Sequence, residues 1–309
     1  VNGRTAYTAT WTQQLAIAGA YAACYELARY ASFPHWILTG GLRLAFLLLM
    51  PPRFWPALLL GETLPSIENA VLNEPTFGMA WAAAAAVPMA LLWIPLVRFM
   101  RRRWPLHGTD GNLRIGMLLS ATLACAVVNA VATTGELQIA LFTNPGTWPE
   151  ISAPMYFWAY LLGGYLGALT LTPTILALHE RFKAQGSVFT FAAVWRSPLL
   201  RDLMAWAVPV LGGLTWVALA TDQETLLQVA RLSLVLPVLA LAWRHGWHGT
   251  AVGGMLASIA LAVTGTEFID PAVIRCQAVL ALVISGTLLV GVKKAHLARQ
   301  ASPAARASR

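Results

Sequence analysis

The sequence predicts an all-α, polytopic membrane helix bundle, and three observations carry that prediction. Of its 309 residues, 58% are hydrophobic and only 11% charged, whereas soluble domains carry roughly 25% charged residues. Apolar blocks recur along nearly the whole chain, many of them close to the roughly 20 residues that a membrane-crossing helix needs. The connections between the blocks alternate between basic and acidic, as they do when successive turns lie on opposite faces of a bilayer.

Ten blocks are legible: residues 12–32, 37–50, 54–67, 78–100, 113–134, 153–179, 203–221, 226–243, 250–266 and 273–292. The second and third are short and meet at the "PPR" turn of Pro51 to Arg53, so they form either two tilted spans or one hairpin that does not fully cross. Eight to ten transmembrane helices are expected.

Arg98, Arg101, Arg102, Arg103 and Arg114 flank one connection, and Arg181, Lys183, Arg196 and Arg201 the next alternate one. Arg244 follows, then Lys293, Lys294, Arg299, Arg306 and Arg309. The intervening connections hold Glu62, Glu68 and Glu74, then Glu136 and Glu150, then Asp222 and Glu224, then Glu267 and Asp270. Because Lys and Arg accumulate on the cytoplasmic side, both termini are expected in the cytoplasm, with the acidic loops facing outward. Arg275, at the start of the last block, is the exception. The net charge of +8 therefore follows topology, and no nucleic-acid partner is expected.

Cys24, Cys125 and Cys276 each lie inside an apolar block, where a thiol packs as a small core residue, so no disulfide framework is implied. The first block follows a polar start and lacks a short hydrophobic region with a cleavage site, so no cleavable signal peptide is expected. The connection 180–202 contains "FTFAAVWRSPLL", either an interfacial helix or an ordered loop. Beyond Val292 the basic, Ala- and Ser-rich stretch 293–309 forms a separate cytoplasmic tail, disordered or a helix continuing into solvent. Residues 1–292 make up the membrane domain.

Charged residues at membrane depth are costly and mark function or a structural pair. Glu26 and Arg29, three apart, share a helix face and can neutralise one another. Arg43 has no acid on its own block, and Glu62, across the hairpin, is the obvious partner. Arg43, Arg231 and Arg275 would either line an outward pocket for an anionic ligand or pair with the acidic loops. The histidines suggest no metal: His245 and His248, in "RHGWHG", lie across a glycine in a turn with no third ligand nearby. No phosphate-binding loop, nucleophile elbow or paired-carboxylate motif is present, so neither a cofactor nor enzymatic activity is expected.

The segment "WAYLLGGYLGALTLTP", Trp158 to Pro173, holds Gly163, Gly164 and Gly167. Glycines four apart let a second helix backbone approach closely, and Pro173 frees a carbonyl and favours a kink. This reads as a packing seam with a hinge.

Extended to "WAYLLGGYLGALTLTPTILAL", the same stretch resembles the central signature of the membrane-associated sensor domains of the first type, the MASE family. "PHWILTGGLRLAFLLLMPPRFWPALLLGE", Pro34 to Glu62, is similar to that family's early pattern. "LVLPVLALAWRHGWHGTAVGGMLASIALAVTGT", Leu234 to Thr266, and "VIRCQAVLALVISGTLLVGVKK", with Gln277 in its first turns, resemble its last helices. Gly164 stands where the family commonly has an Asp, and the fourth block lacks the family's polar features, so a different or lost response is implied.

The resemblance implies a sensory input module for bacterial signal transduction, joined to a histidine kinase or diguanylate cyclase output domain, fused or separate. A homodimer is a further expectation. The alternative is a small-molecule transporter or its membrane substrate-binding subunit, which broken helices and internal repeats would support.

Overall fold

In the computed structural model, residues 2–32, 36–108, 113–148, 151–185, 197–265 and 271–307 are described, and every regular element among them is helical. The chain forms two compact units, Val1–Leu106 with Ser120–Ala168, and His107–Leu119 with Leu169–Arg309.

The first unit holds α1 (Asn2–Tyr30), α2 (Leu38–Leu49), α3 (Trp55–Phe77), α4 (Met79–Ala85) and α5 (Ala90–Arg103). It also takes most of α6 (Ile115–Thr143) and the first half of α7 (Ala153–Gln185). Pro51 and Pro52 lack the amide a helix needs, so the chain breaks after α2 into a short 3-10 turn at Pro52–Phe54. The chain leaves α3 through Gly78, at φ 87° and ψ 161°, a conformation open to glycine alone. Asn144 supports that break by donating its side-chain amide to the Phe77 carbonyl at 2.9 Å. Arg101, Arg102 and Arg103 close α5, where cations complement the negative helix end.

The second unit begins with the first turns of α6 and continues from the second half of α7. It then holds α8 (Pro198–Asp202), a π turn (Leu203–Ala207), α9 (Val208–Ala220), α10 (Glu224–Ser233), α11 (Val235–Val263) and α12 (Pro271–Ala307). At Gly246, φ 61° and ψ −143°, α11 turns back on itself. Gly253 consequently lies against Val238, and Gly249 against the Leu241 carbonyl, closer than a side chain would allow.

The apolar blocks are mostly helix within the described residues, the fourth being broken between Ala85 and Ala90. Among the described residues, six helical stretches are long and apolar enough to cross a membrane: Met79–Arg103, Ile115–Thr143, Ala153–Lys183, Pro198–Ala220, Glu224–Val263 and Pro271–Gly291. The fifth is folded in two by Gly246. The short α2 has 12 residues and so measures about 18 Å, less than the roughly 30 Å of hydrocarbon. Most of the stretch 189–200 lies outside the described residues. From Lys293 onward the basic tail continues α12 as helix to Ala307.

Tyr21, Leu44, Leu47, Leu58 and Trp93 are buried in the first unit, and Leu176, Leu234, Leu241, Leu261 and Ile284 in the second. Inside a bilayer such burial removes little water. Cohesion comes instead from close packing and from polar groups that find partners. Trp11, Leu27, Phe142, Trp158 and Trp216 are exposed, which suits a surface in contact with lipid.

Candidate functional site

The first unit is built around the carboxylate of Glu62. Gly61 allows α3 to approach the Ala18 carbonyl of α1, and this brings Tyr21 beside Glu62. Arg43 of α2 donates from Nε to Oε2 at 2.8 Å and from Nη2 to Oε1 at 2.9 Å, a two-point fork. The Tyr21 hydroxyl donates to Oε2 at 3.2 Å, and the backbone amide of Ala90 to Oε1 at 3.0 Å.

Ala90 opens α5, whose own N-cap residue, Met89, supplies no side-chain bond. Glu62 therefore caps α5 from another element, placing a negative charge at the positive helix end. The Arg43 guanidinium lies over the ring of Trp93, 4.6 Å from its centroid, and 5.9 Å from that of Tyr25. Arg43 and Glu62 are 3% and 0% exposed, so their charges are neutralised inside the protein rather than by solvent. One carboxylate thus ties α1, α2, α3 and α5 together.

Glu26 and Arg29 pair at 2.8 Å, as their spacing on α1 allows, and both are partly exposed. Arg29 also donates to Asn69 Oδ1 at 3.2 Å and lies 3.9 Å from Glu68. In the second unit Arg231 is buried and donates to the hydroxyl and the carbonyl oxygen of Thr264, the residue that ends α11. Arg275 is exposed on α12. Arg43 and Glu62 are thus brought together, and so are Glu26 and Arg29, while Arg231 and Arg275 belong to the second unit.

Gly163, Gly164, Gly167 and Pro173 are all buried in α7. The neighbour at Gly167 is not a second helix, as the spacing suggests, but the extended backbone at Ile37, which a Cβ on Gly167 would overlap. Ile37 also donates its amide to the Gly163 carbonyl at 3.0 Å. Gly164 is looser, with Asn129 Nδ2 3.6 Å and Ala126 3.8 Å from a would-be Cβ. Pro173 lies within α7, which continues through it to Gln185.

Two acids on the basic side of the sequence acquire partners that sequence reasoning did not assign. Asp202 Oδ2 lies 2.8 Å from His245 Nε2 and 3.2 Å from Arg244. Glu180 lies 3.6 Å from His248 and 3.9 Å from His107. The available signal was their position: Glu180 and Asp202 are the acids of an otherwise basic connection. Among the described residues, no three His, Cys, Asp or Glu side chains are arranged to hold a metal ion.

The family model for MASE1 matches residues 13–292. Over 260 residues the chain is 26% identical to the signal transduction histidine-protein kinase/phosphatase UhpB of Salmonella typhimurium, an alignment covering 81% of this chain and 45% of that protein. The chain thus spans less than half the length of this curated relative. No solved structure matches it. A multi-pass apolar helix bundle that the family model matches over nearly all its membrane segments belongs to the MASE1 family, the membrane-associated sensor domains of the first type.

Proposed function

We propose that the chain is the sensory input module of a bacterial signalling protein of the inner membrane, with both termini cytoplasmic and no enzymatic activity of its own. A cue arriving from outside or within the bilayer shifts the helix packing, and α12 passes that shift to a cytoplasmic output domain, fused or separate. The observation that carries this reading is the continuity of α12: its stretch Pro271–Gly291 is long and apolar enough to cross, and the helix runs on to Ala307, in a chain matched by the sensor family up to residue 292.

The likeness to UhpB favours a histidine kinase as the output over a diguanylate cyclase. Coupling requires the cue to bind one packing state better than the other. Homodimerisation would let two α12 helices deliver the shift together. The transporter alternative needs cations available to an anionic substrate; of its three candidates Arg43 is committed to Glu62 and Arg231 bonds Thr264, which leaves it the exposed Arg275 alone.

The test is to join a histidine kinase domain after Ala307 and measure autophosphorylation in membrane vesicles, with and without Pro173→Ala at equal membrane levels. Output that changes by about fivefold or more is expected. Output indifferent to the substitution and equal to that of the same kinase on a plain membrane anchor, together with solute uptake by the unfused protein, would replace the sensor with a transporter.

A further inference from the structure

In the second unit several contacts converge where α11 turns back at Gly246. Its φ of 61° and ψ of −143° lie in a region that residues with a side chain enter only under strain. The turn also lies against α12 backbone to backbone. A Cβ on Gly291 would sit 2.7 Å from the Trp247 nitrogen and 3.1 Å from the Gly246 carbonyl carbon.

A third element holds the turn in place. Asp202 is 8% exposed and bonds His245 at 2.8 Å. Its contact with Arg244 at 3.2 Å is the weaker one, because Arg244 is 56% exposed and screened by solvent. Asp202 directly precedes the π turn Leu203–Ala207, a wide turn of a kind that recurs at functional sites. Leu203 and Ala207 pack with Leu199 against Leu241, one helical turn before His245. On the far side of the turn, the Thr174 hydroxyl of α7 donates to the Ala251 carbonyl at 3.0 Å.

We infer that the Gly246 turn is the joint through which the module drives its output helix: Asp202 positions His245, Gly246 and Trp247, and Gly291 transfers that position to α12. The physical reason is the absence of any side chain at the contact. Side chains can change rotamer and absorb a displacement, whereas two backbones in direct contact either move together or separate. Asp202 is a positioning residue in this scheme. The inference rests on the sensor reading for its purpose but not for its mechanics.

The mechanics can be read by hydrogen exchange on the full chain in lipid nanodiscs, following residues 241–249 and the α12 segment 285–295. Asp202→Ala and Gly291→Ala should each speed exchange in both segments together. Asp202→Asn keeps an acceptor for His245 and should fall between them and wild type. Gly286→Ala, on the same helix with open space around its Cβ, should leave both segments unchanged.

Faster exchange at 241–249 with unaltered protection at 285–295, in a folded protein, would overturn the joint. If Asp202→Ala does not accumulate in membranes, Asp202→Asn and Gly291→Ala carry the same comparison. With the kinase domain attached, the variants that loosen both segments should change output by about fivefold or more. Correlated loosening with output indifferent to every variant would leave the joint standing and overturn the sensor reading instead.

Discussion

At the scale of residues, Glu62 does the work of several. Its two oxygens accept from Arg43 twice, from Tyr21 and from the Ala90 amide. Removing one charge leaves the other buried and uncompensated, so Arg43→Ala or Glu62→Gln should each cost about 3–5 kcal/mol in denaturant unfolding of the detergent-solubilised protein. Replacing both residues with Leu should recover much of that loss. The Arg43 partner was legible in the sequence because Arg43 has no acid on its own helix. The other two were not: Tyr21 is 41 positions away, and a backbone amide such as that of Ala90 leaves no mark on composition. The glycines of α7 divide in the same way. Gly167→Ala would press on the Ile37 backbone and should cost about 1–3 kcal/mol, while Gly164→Ala meets only ordinary contacts and should cost much less. Their small-residue spacing announced a close approach but could not say what approaches.

At the scale of elements, hydropathy marked which stretches are apolar better than where helices end. The block 54–67 takes in Glu62 and stops just before Glu68, yet α3 runs on to Phe77, because Glu68 and Glu74 are compatible with helix and Asn73 returns its amide to the Asn69 carbonyl at 2.9 Å. Loss of hydrophobicity signals departure from hydrocarbon, not the end of hydrogen bonding along the backbone. The division of 226–266 into two blocks, by contrast, was visible from "RHGWHG", and Gly246 is where the chain turns. Gly246→Ala should therefore destabilise the protein by about 1–3 kcal/mol. Gly213→Ala, in the interior of α9 with open space at its Cβ, should stabilise it by up to about 1 kcal/mol. Thermal unfolding of the two variants in one detergent makes the comparison.

At the scale of the whole molecule, the charge alternation makes a statement about sidedness that labelling can check. In a background with Cys24 replaced, Arg102→Cys should react with a membrane-impermeant maleimide only in inside-out vesicles, and Asp222→Cys only in spheroplasts; both positions are exposed. Reaction of both from the same side would overturn the alternation of the connections. The general architecture was legible because a bilayer imposes length and polarity rules on every crossing segment. The division into two units was not, since α6 and α7 each contribute to both and no break in composition marks the change. The glycine face of α7 bears on how copies of the protein can associate. Small-residue faces of this kind commonly serve as sticking points between identical helices, but here the chain has spent that face on itself, filling the ground beside Gly163 and Gly167 with its own Ile37. A symmetric pair of these molecules must therefore meet elsewhere.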